Sequence, residues 1–207
     1  MALILFDFDG VLADTLGDLL QFGQEACDEL GVKHIATPED LGSLEIMSLA
    51  TYGRQLEVPE DLVNEFVSRC LKRFVQKPFP PRIFDGMAEV IKKLSAHYVI
   101  GIITGNASLA VEAFLVENGI RQCVSVIFGE DQPGLKHEKI LKAKNQLAVN
   151  MENVYYVGDS VSDIHAARDT STKSVAVSWG HQSLSKLVNA KPDYVVYSPH
   201  ELLEIFE

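Results

Sequence analysis

The sequence has little of what marks secreted, metal-cluster or membrane proteins. It contains three cysteines, Cys27, Cys70 and Cys123, at wide and irregular spacing. That number and spacing argue against a disulfide framework and a zinc cluster, so we expect buried free thiols. The histidines show no HExxH or Cys/His metal spacing. No apolar run is long enough to cross a bilayer and no secretory signal is visible, so we expect a cytoplasmic protein.

Positive charge is also scarce. Lys and Arg number 18 against 29 Asp and Glu, which gives a net charge of −11. This balance argues against nonspecific binding to nucleic acid or to anionic membranes. The 207 residues, 47% hydrophobic and 23% charged, are typical of a soluble globular protein with room for one full domain and a modest insertion. We therefore expect no nucleic-acid or membrane partner, and the composition predicts no particular oligomeric state.

The most informative stretch is 3–15, LILFDFDGVLADT. Its apolar start predicts a short strand buried on both faces, and Asp7 and Asp9 follow directly, before a turn at Gly10. Two such close carboxylates repel each other, so either one holds a proton or a cation lies between them. Both outcomes suit phosphoryl transfer through an aspartyl-phosphate, with one nucleophile, one general acid and base, and Mg²⁺. An ordinary turn after a strand explains this stretch equally well.

The rest of the chain divides into a helical part and an alternating part. Residues 16–78 show helical spacing throughout, including a helix ending at Gly31 and helix starts at Thr37 and Pro59. After 79, strands and helices alternate, which predicts an α/β fold with a doubly wound, Rossmann-like parallel sheet. We therefore predict a core domain of 1–15 and 79–207, with an all-helical cap of 16–78 inserted after the first strand. The later strands are predicted at 98–103, 124–128, 154–157, 175–178 and 194–196, and helices at 87–96, 107–118, 137–147 and 163–169.

Polar clusters follow several of the predicted strands. In a doubly wound sheet, ligands bind outside the carboxyl ends of the strands, so these clusters are expected to meet. Thr104 and the amides of Gly105 and Asn106 would bind phosphate at a helix N-terminus. Each cluster also has an ordinary explanation as a helix cap or a solvated charge.

Three charged residues complete the predicted constellation. Lys136 would supply positive charge for the nucleophile and the phosphoryl group. Asp159 would complete an acidic metal site, with Asp163 one helical turn further as a supporting acid. A lysine at a helix start and an Asp-Ser pair capping a helix are the ordinary alternatives. Their shared position at strand ends favours one functional site.

This constellation resembles the haloacid dehalogenase superfamily, essentially from Leu3 to Phe206. The stretch from Asp7 to Thr15 is similar to the first motif of that superfamily, Thr104 to the second, Lys136 to the third, and 158–163 to the fourth. The helical insertion is similar to the cap of the phosphoglycolate-phosphatase-like branch. The stretches 83–86 and 178–181 resemble that branch's return from cap to core and its late loop.

The resemblance implies an enzyme and assigns roles. Asp7 is the expected nucleophile and Asp9 the acid and base, which protonates the leaving alcohol and then activates water. The carboxylates of Asp7 and Asp159 and the backbone carbonyl of Asp9 are expected to hold Mg²⁺, with Asp163 beside them. Asp9 is the second acid found in phosphatases and mutases and absent from dehalogenases and phosphonatases. The implied function is therefore hydrolysis of a small phosphate ester such as a phosphoglycolate-like phosphomonoester.

The sequence departs from the family pattern at two places. His137 follows Lys136 where proline is usual, and Lys139 stands where a second proline is common. Thr170 and Ser171 replace an Ala-Gly turn in which a left-handed residue is expected.

Other functions stay open as alternatives. A β-phosphoglucomutase-like phosphomutase uses the same core, although the cap here lacks the arginine- and glycine-rich signature associated with it. A phospho-accepting receiver module also combines acids, Thr and Lys on a doubly wound sheet, but it has no helical insertion of this size. A catalytically idle binding protein is a third possibility.

Substrate choice would belong to the cap, where Tyr52, Arg54, Arg69 and Arg73 are candidates, each of which is more often an ordinary helix residue. Trp179 and His181 are candidates for the entrance.

Overall fold

The computed structural model describes residues 2–77, 80–147 and 153–206. Its strands are β1 (Leu3–Phe6), β2 (Ala13–Asp14), β3 (Arg82–Ile83), β4 (Val99–Ile103), β5 (Val126–Phe128), β6 (Val154–Gly158), β7 (Lys173–Val177) and β8 (Tyr194–Val196). Its helices are α1 (Leu16–Leu30), α2 (Pro38–Gly42), α3 (Leu49–Gln55), α4 (Val63–Gln76), α5 (Met87–Ser95), α6 (Ser108–Glu117), α7 (Lys136–Gln146), α8 (Val161–Asp169), α9 (Leu184–Asn189) and α10 (Glu201–Phe206). Two short 3-10 helices lie at Glu60–Leu62 and Arg121–Cys123.

The main sheet has six parallel strands in the order β5-β4-β1-β6-β7-β8. β1 is central, and the Asp7 amide extends its pairing by donating to the Val157 carbonyl at 2.9 Å. The chain moves outward from β1 through β4 and β5, then returns to β6 on the other side. A crevice therefore opens at the carboxyl ends of β1 and β6, where ligands bind in such sheets. The predicted doubly wound α/β fold is confirmed.

The two faces of β1 explain why its sequence is apolar without alternation. Ile4 and Phe6 join one hydrophobic cluster with α5, α6 and α10, while Leu3 and Leu5 join another with α7 and α8. All four side chains are fully buried. Helices thus cover the sheet on both sides, which leaves the strand ends as the open edge.

The helices between residues 16 and 76 form a hydrophobic cluster of their own. It contains Cys27, Tyr52, Phe66 and Cys70, and none of its members belongs to the clusters around the sheet. A separate core is what a distinct cap requires. The division into a cap of 16–78 and a core stays a prediction, and its boundary at residues 78 and 79 lies outside the described residues. Within the described ranges, no helix has the length and apolar character needed to span a bilayer.

Both connections between the sheet and this helical segment run side by side. Ala13 of β2 pairs antiparallel with Ile83 of β3, and Asp14 with Arg82. The sequence does not predict this ribbon, because two-residue strands are too short to show a periodic pattern. The ribbon joins the outgoing and returning chain just beside the end of β1.

Several predicted bounds shift by one to three residues. α7 begins at Lys136 rather than His137, and β5 begins at Val126 because the preceding residues form a 3-10 helix and its exit. The turn after α8 keeps its left-handed residue without glycine, because Ser171 adopts φ +51°. The departure from the family's Ala-Gly pattern therefore changes the residue there but not the backbone conformation.

Candidate active site

Asp7 lies at the end of β1, with one carboxylate oxygen held by the backbone and the other by a lysine. The Phe8 amide donates to Oδ1 at 2.7 Å, and Lys136 Nζ lies 2.8 Å from Oδ2. Burial raises the pKa of Asp7 to about 8, even though Lys136 acts to lower it. The carboxylate is therefore fixed in orientation and still borders a cavity.

Lys136 begins α7 and pairs with two acids, Asp7 and Asp163. Burial acts to lower the pKa of Lys136, but the charges of Asp163 and Asp7 hold it well above its usual value. The other oxygen of Asp163 accepts from the amide and hydroxyl of Ser160, at 3.0 and 2.6 Å. Ser160 also caps α8, as the ordinary explanation predicted. Asp163 thus connects the start of α8 to Lys136 and fixes the ammonium group beside Asp7.

Asp159 follows β6 and lies between two glycines that leave no room for a side chain. A Cβ on Gly10, which has φ +71°, would come within 2.0 Å of Asp159 Oδ2, and one on Gly180 within 2.2 Å of Asp159 Cβ. The His181 amide donates to Asp159 Oδ2 at 2.7 Å. Burial and the neighbouring Asp163 raise the pKa of Asp159 to about 7. Close backbone approach therefore holds this acid against Asp7.

Three carboxylates converge where the sequence analysis predicted a metal site. One oxygen each from Asp7, Asp159 and Asp163 lies within 4.8 Å of the others. These acids outnumber the single lysine beside them, so when they are ionised the site has excess negative charge in a buried setting. An oxygen-lined, negatively charged site of this kind fits a hard divalent cation such as Mg²⁺. The Asp9 carboxylate does not belong to this group of three. The backbone carbonyl of Asp9 therefore stays the predicted metal ligand from that residue.

Asp9 borders the same cavity and contacts the loop after β4. Asn106 Nδ2 donates to Asp9 Oδ2. Burial raises the pKa of Asp9, while the neighbouring His181 and the Asn106 hydrogen bond act to lower it. A carboxyl group whose pKa is raised keeps a proton that it can donate, which suits a general acid.

The loop 104–106 differs in one respect from the expected phosphate-binding arrangement. Thr104 is 2% exposed, and its hydroxyl accepts from the Asn106 amide at 3.0 Å. This local turn occupies the Asn106 amide, which was expected to face phosphate, while the Thr104 hydroxyl keeps its own O–H as a donor. Gly105 and the Asn106 side chain do border the cavity.

Lys139 donates to the carbonyls of Gly129, at 2.8 Å, and Thr104, so it stabilises this edge of the sheet and is not a free cation.

His181 was considered only for the entrance, but it lies inside the site. It is 8% exposed, with Nδ1 at 3.3 Å from Asp159 Oδ2 and Nε2 at 3.3 Å from Thr15 Oγ1. The resemblance of 178–181 to a family loop was the signal that could have identified it. Trp179 packs against the hydrophobic cluster that contains Ile4 and Phe6, and its indole N–H donates to the Val11 carbonyl at 3.3 Å. Trp179 therefore has a packing role.

A cavity of about 340 Å³ connects these residues with the helical segment. Asp7, Asp9, Lys136 and Asp159 border it from the sheet side, and α1 to α4 and their connections border it from the other. Pockets of this size are typical of sites for small molecules. These charged and polar groups thus border a compartment between the sheet and the helices.

Comparison with known proteins gives concordant results for sequence and fold. The chain is 29% identical to a phosphoglycolate phosphatase of Synechococcus elongatus, over 99% of this chain and 96% of that protein. It is 26% identical to an N-acetylmuramic acid 6-phosphate phosphatase of Pseudomonas aeruginosa, over 99% and 94%. A haloacid dehalogenase-like hydrolase of Streptococcus pneumoniae has the same fold, with a TM-score of 0.89 at 22% identity, over 100% of this chain and 99% of that one. Residues 4–177 match the model of the haloacid dehalogenase-like hydrolase family, so the chain belongs to that family.

Proposed function

We propose that the protein is a Mg²⁺-dependent phosphatase that hydrolyses a small phosphomonoester through an aspartyl-phosphate on Asp7. The observation that carries this proposal is the convergence of Asp7, Lys136 and Asp159 at one cavity that Asp9 also borders. Two full-length relatives named as phosphatases support the reaction class. The cytoplasmic location stays a prediction from the sequence.

The proposed reaction divides between the two acids of the first motif. An oxygen of Asp7 attacks phosphorus, and the bond from phosphorus to the ester oxygen breaks. Asp9 gives its proton to that departing oxygen, then takes a proton from the water that attacks the phosphorus of the aspartyl-phosphate. The bond between phosphorus and the Asp7 oxygen then breaks, which frees the Asp7 carboxylate and inorganic phosphate.

The remaining groups hold these two acids and balance charge. Lys136 fixes Asp7 and offsets the negative charge that gathers there, and Asp163 fixes Lys136. Asp7, Asp159 and the backbone carbonyl of Asp9 are the proposed Mg²⁺ ligands. When bound, the cation would neutralise the carboxylates and the phosphoryl oxygens.

The proposal predicts phosphate release that depends on a divalent cation. We expect the purified protein to hydrolyse p-nitrophenyl phosphate and members of a panel of small phosphate esters with Mg²⁺, and to lose that activity in EDTA. Restoring Mg²⁺ should restore activity. A folded, Mg²⁺-supplied protein that releases no phosphate from any ester would contradict the proposal and favour the mutase, and a phosphoryl group that persists would favour the receiver module.

The buried Asp7 carboxyl also predicts that the free energy of unfolding of the metal-free protein falls as the pH rises. Its pKa is about 8 in the folded state against an ordinary 3.8, so the folded state binds the proton more tightly. This stabilisation is complete below about pH 4 and is lost as pH rises towards 8, by up to about 1.4 kcal/mol per pH unit. We expect the melting temperature in EDTA, taken as wild type minus Asp7→Asn, to fall between pH 5 and 8.

The subtraction removes the contribution of titrating groups that do not act on Asp7 and keeps that of groups that do, such as Asp159. Adding Mg²⁺ should flatten the trend, because the cation compensates the charged carboxylate. A difference in melting temperature that is constant with pH in EDTA would show that burial does not raise the pKa of Asp7 in the metal-free fold.

A further inference from the structure

The cavity above Asp7 has two chemically different walls. The sheet side supplies acids, a lysine, an asparagine and hydroxyl groups. The helical side supplies mainly apolar side chains, among them Leu41, Leu44, Met47, Leu49, Leu71 and Phe74. Leu71 borders the cavity and is 45% exposed. The part of the cavity remote from Asp7 is therefore mainly apolar.

The cations of the helical segment point elsewhere. None of the lysines and arginines in 16–77 borders the cavity, and most pair with acids of the same segment. Arg54 pairs with Glu60, Arg69 with Glu29 and Glu65, Arg73 with Glu25 and Glu29, and Lys77 with Asp18. The positions outside the described ranges contain no Lys, Arg or His in the sequence. The arginine candidates for substrate choice thus face acids of the helical segment and do not border the cavity.

The sheet side offers no spare positive charge either. Lys136 is the one lysine or arginine among the described residues that border the cavity, and Asp7 and Asp163 already face its ammonium group. His181 lies between Asp159 and Thr15. A second anionic group on the substrate, such as a carboxylate, would leave water for an apolar wall without a counter-charge. That transfer is strongly unfavourable.

Given the proposed phosphatase function, on which this step rests, we infer that the substrate is a phosphomonoester whose organic part is uncharged and largely apolar. The phosphoryl group lies over Asp7, and the alkyl or aryl part contacts the helical wall. Glycolate carries a carboxylate, so this preference departs from the name shared by several relatives. The chain keeps the family's reaction and differs in what the helical wall accepts.

Matched esters test the inference directly. Propyl phosphate and 2-phosphoglycolate are similar in size and differ in the charge of the organic part. We expect kcat/KM for propyl phosphate to exceed that for 2-phosphoglycolate by about 100-fold or more, since burying an unpaired charge is costly. From methyl to butyl phosphate, kcat/KM should rise by about fourfold per methylene. Equal or better turnover of 2-phosphoglycolate would overturn the inference.

A charge placed on the helical wall should change this preference. Met47→Lys puts an ammonium group into the cavity on an unbranched chain of similar length, and we expect it to shift the ratio towards 2-phosphoglycolate by about tenfold or more. Ile46→Lys is the matched control, because Ile46 is the neighbouring residue, is 63% exposed and does not border the cavity. An equal shift in both variants, or none in Met47→Lys, would contradict a role for this wall.

Binding without turnover separates this inference from the phosphatase proposal. The affinities of the same two esters for the Asp7→Asn variant with Mg²⁺ can be measured by calorimetry. Tighter binding of propyl phosphate with no hydrolysis by wild type would overturn the phosphatase proposal and keep the inferred preference. Hydrolysis by wild type with tighter binding of 2-phosphoglycolate would do the reverse.

Discussion

Asp7→Asn should lower turnover of every hydrolysed ester by about 10⁴-fold or more, because an amide oxygen is a poor nucleophile for phosphorus. The substitution keeps the size of the side chain and its position between the Phe8 amide and Lys136. Steady-state release of phosphate with Mg²⁺ measures the effect. No phosphoenzyme should form, which intact-protein mass spectrometry after rapid quenching would show.

The control for this variant is an acid of the same chemistry outside the cavity. Asp28 is exposed on α1, so Asp28→Asn should leave turnover unchanged. Asp7→Asn should fold, and above pH 7 without metal it should melt at a higher temperature than wild type, because folding no longer requires this carboxyl to take up a proton or to be buried with its charge. Wild-type-like turnover by folded Asp7→Asn would refute a covalent mechanism on Asp7.

The sequence was informative where strand ends carry polar residues. A buried apolar run ending at Asp7 locates the central strand, and the rule that parallel strands present ligands at their carboxyl ends brings Asp7, Thr104 and Asp159 to one edge. That rule needs only the order of elements, so it holds although these residues are more than 150 positions apart in the chain. The structure brings Asp7, Lys136, Asp159 and Asp163 into direct contact or close proximity.

What the sequence did not predict depends on packing between distant segments. His181 reaches Asp159 because Gly10 and Gly180 let two loops approach closely, and neither loop alone shows this. The Asn106 amide donates to the Thr104 hydroxyl, and this local hydrogen bond uses an N–H group that could otherwise bind a ligand. Which face of α4 borders the cavity is likewise set by its packing on α1, which places Arg69 and Arg73 beside acids of α1 and leaves Leu71 at the cavity.

Asp9→Asn should divide the reaction into its two halves. The p-nitrophenolate group leaves without needing a proton, so attack by Asp7 can still proceed on p-nitrophenyl phosphate. Hydrolysis of the aspartyl-phosphate needs a base to activate water, and asparagine cannot accept that proton. We expect a burst of about one p-nitrophenol per active site, followed by turnover slowed by about 10²- to 10⁴-fold.

The burst and its absence with other esters test both roles of Asp9. Alkyl phosphates, whose leaving oxygen needs a proton, should give no burst in Asp9→Asn, and both halves should be slow. Quenched samples with p-nitrophenyl phosphate should show protein heavier by one phosphoryl group, while Asp7→Asn gives none. If Asp9→Asn slowed turnover of p-nitrophenyl phosphate without a burst, Asp9 would act before the phosphoenzyme forms, through the position of Asn106 and the phosphate and not as the base.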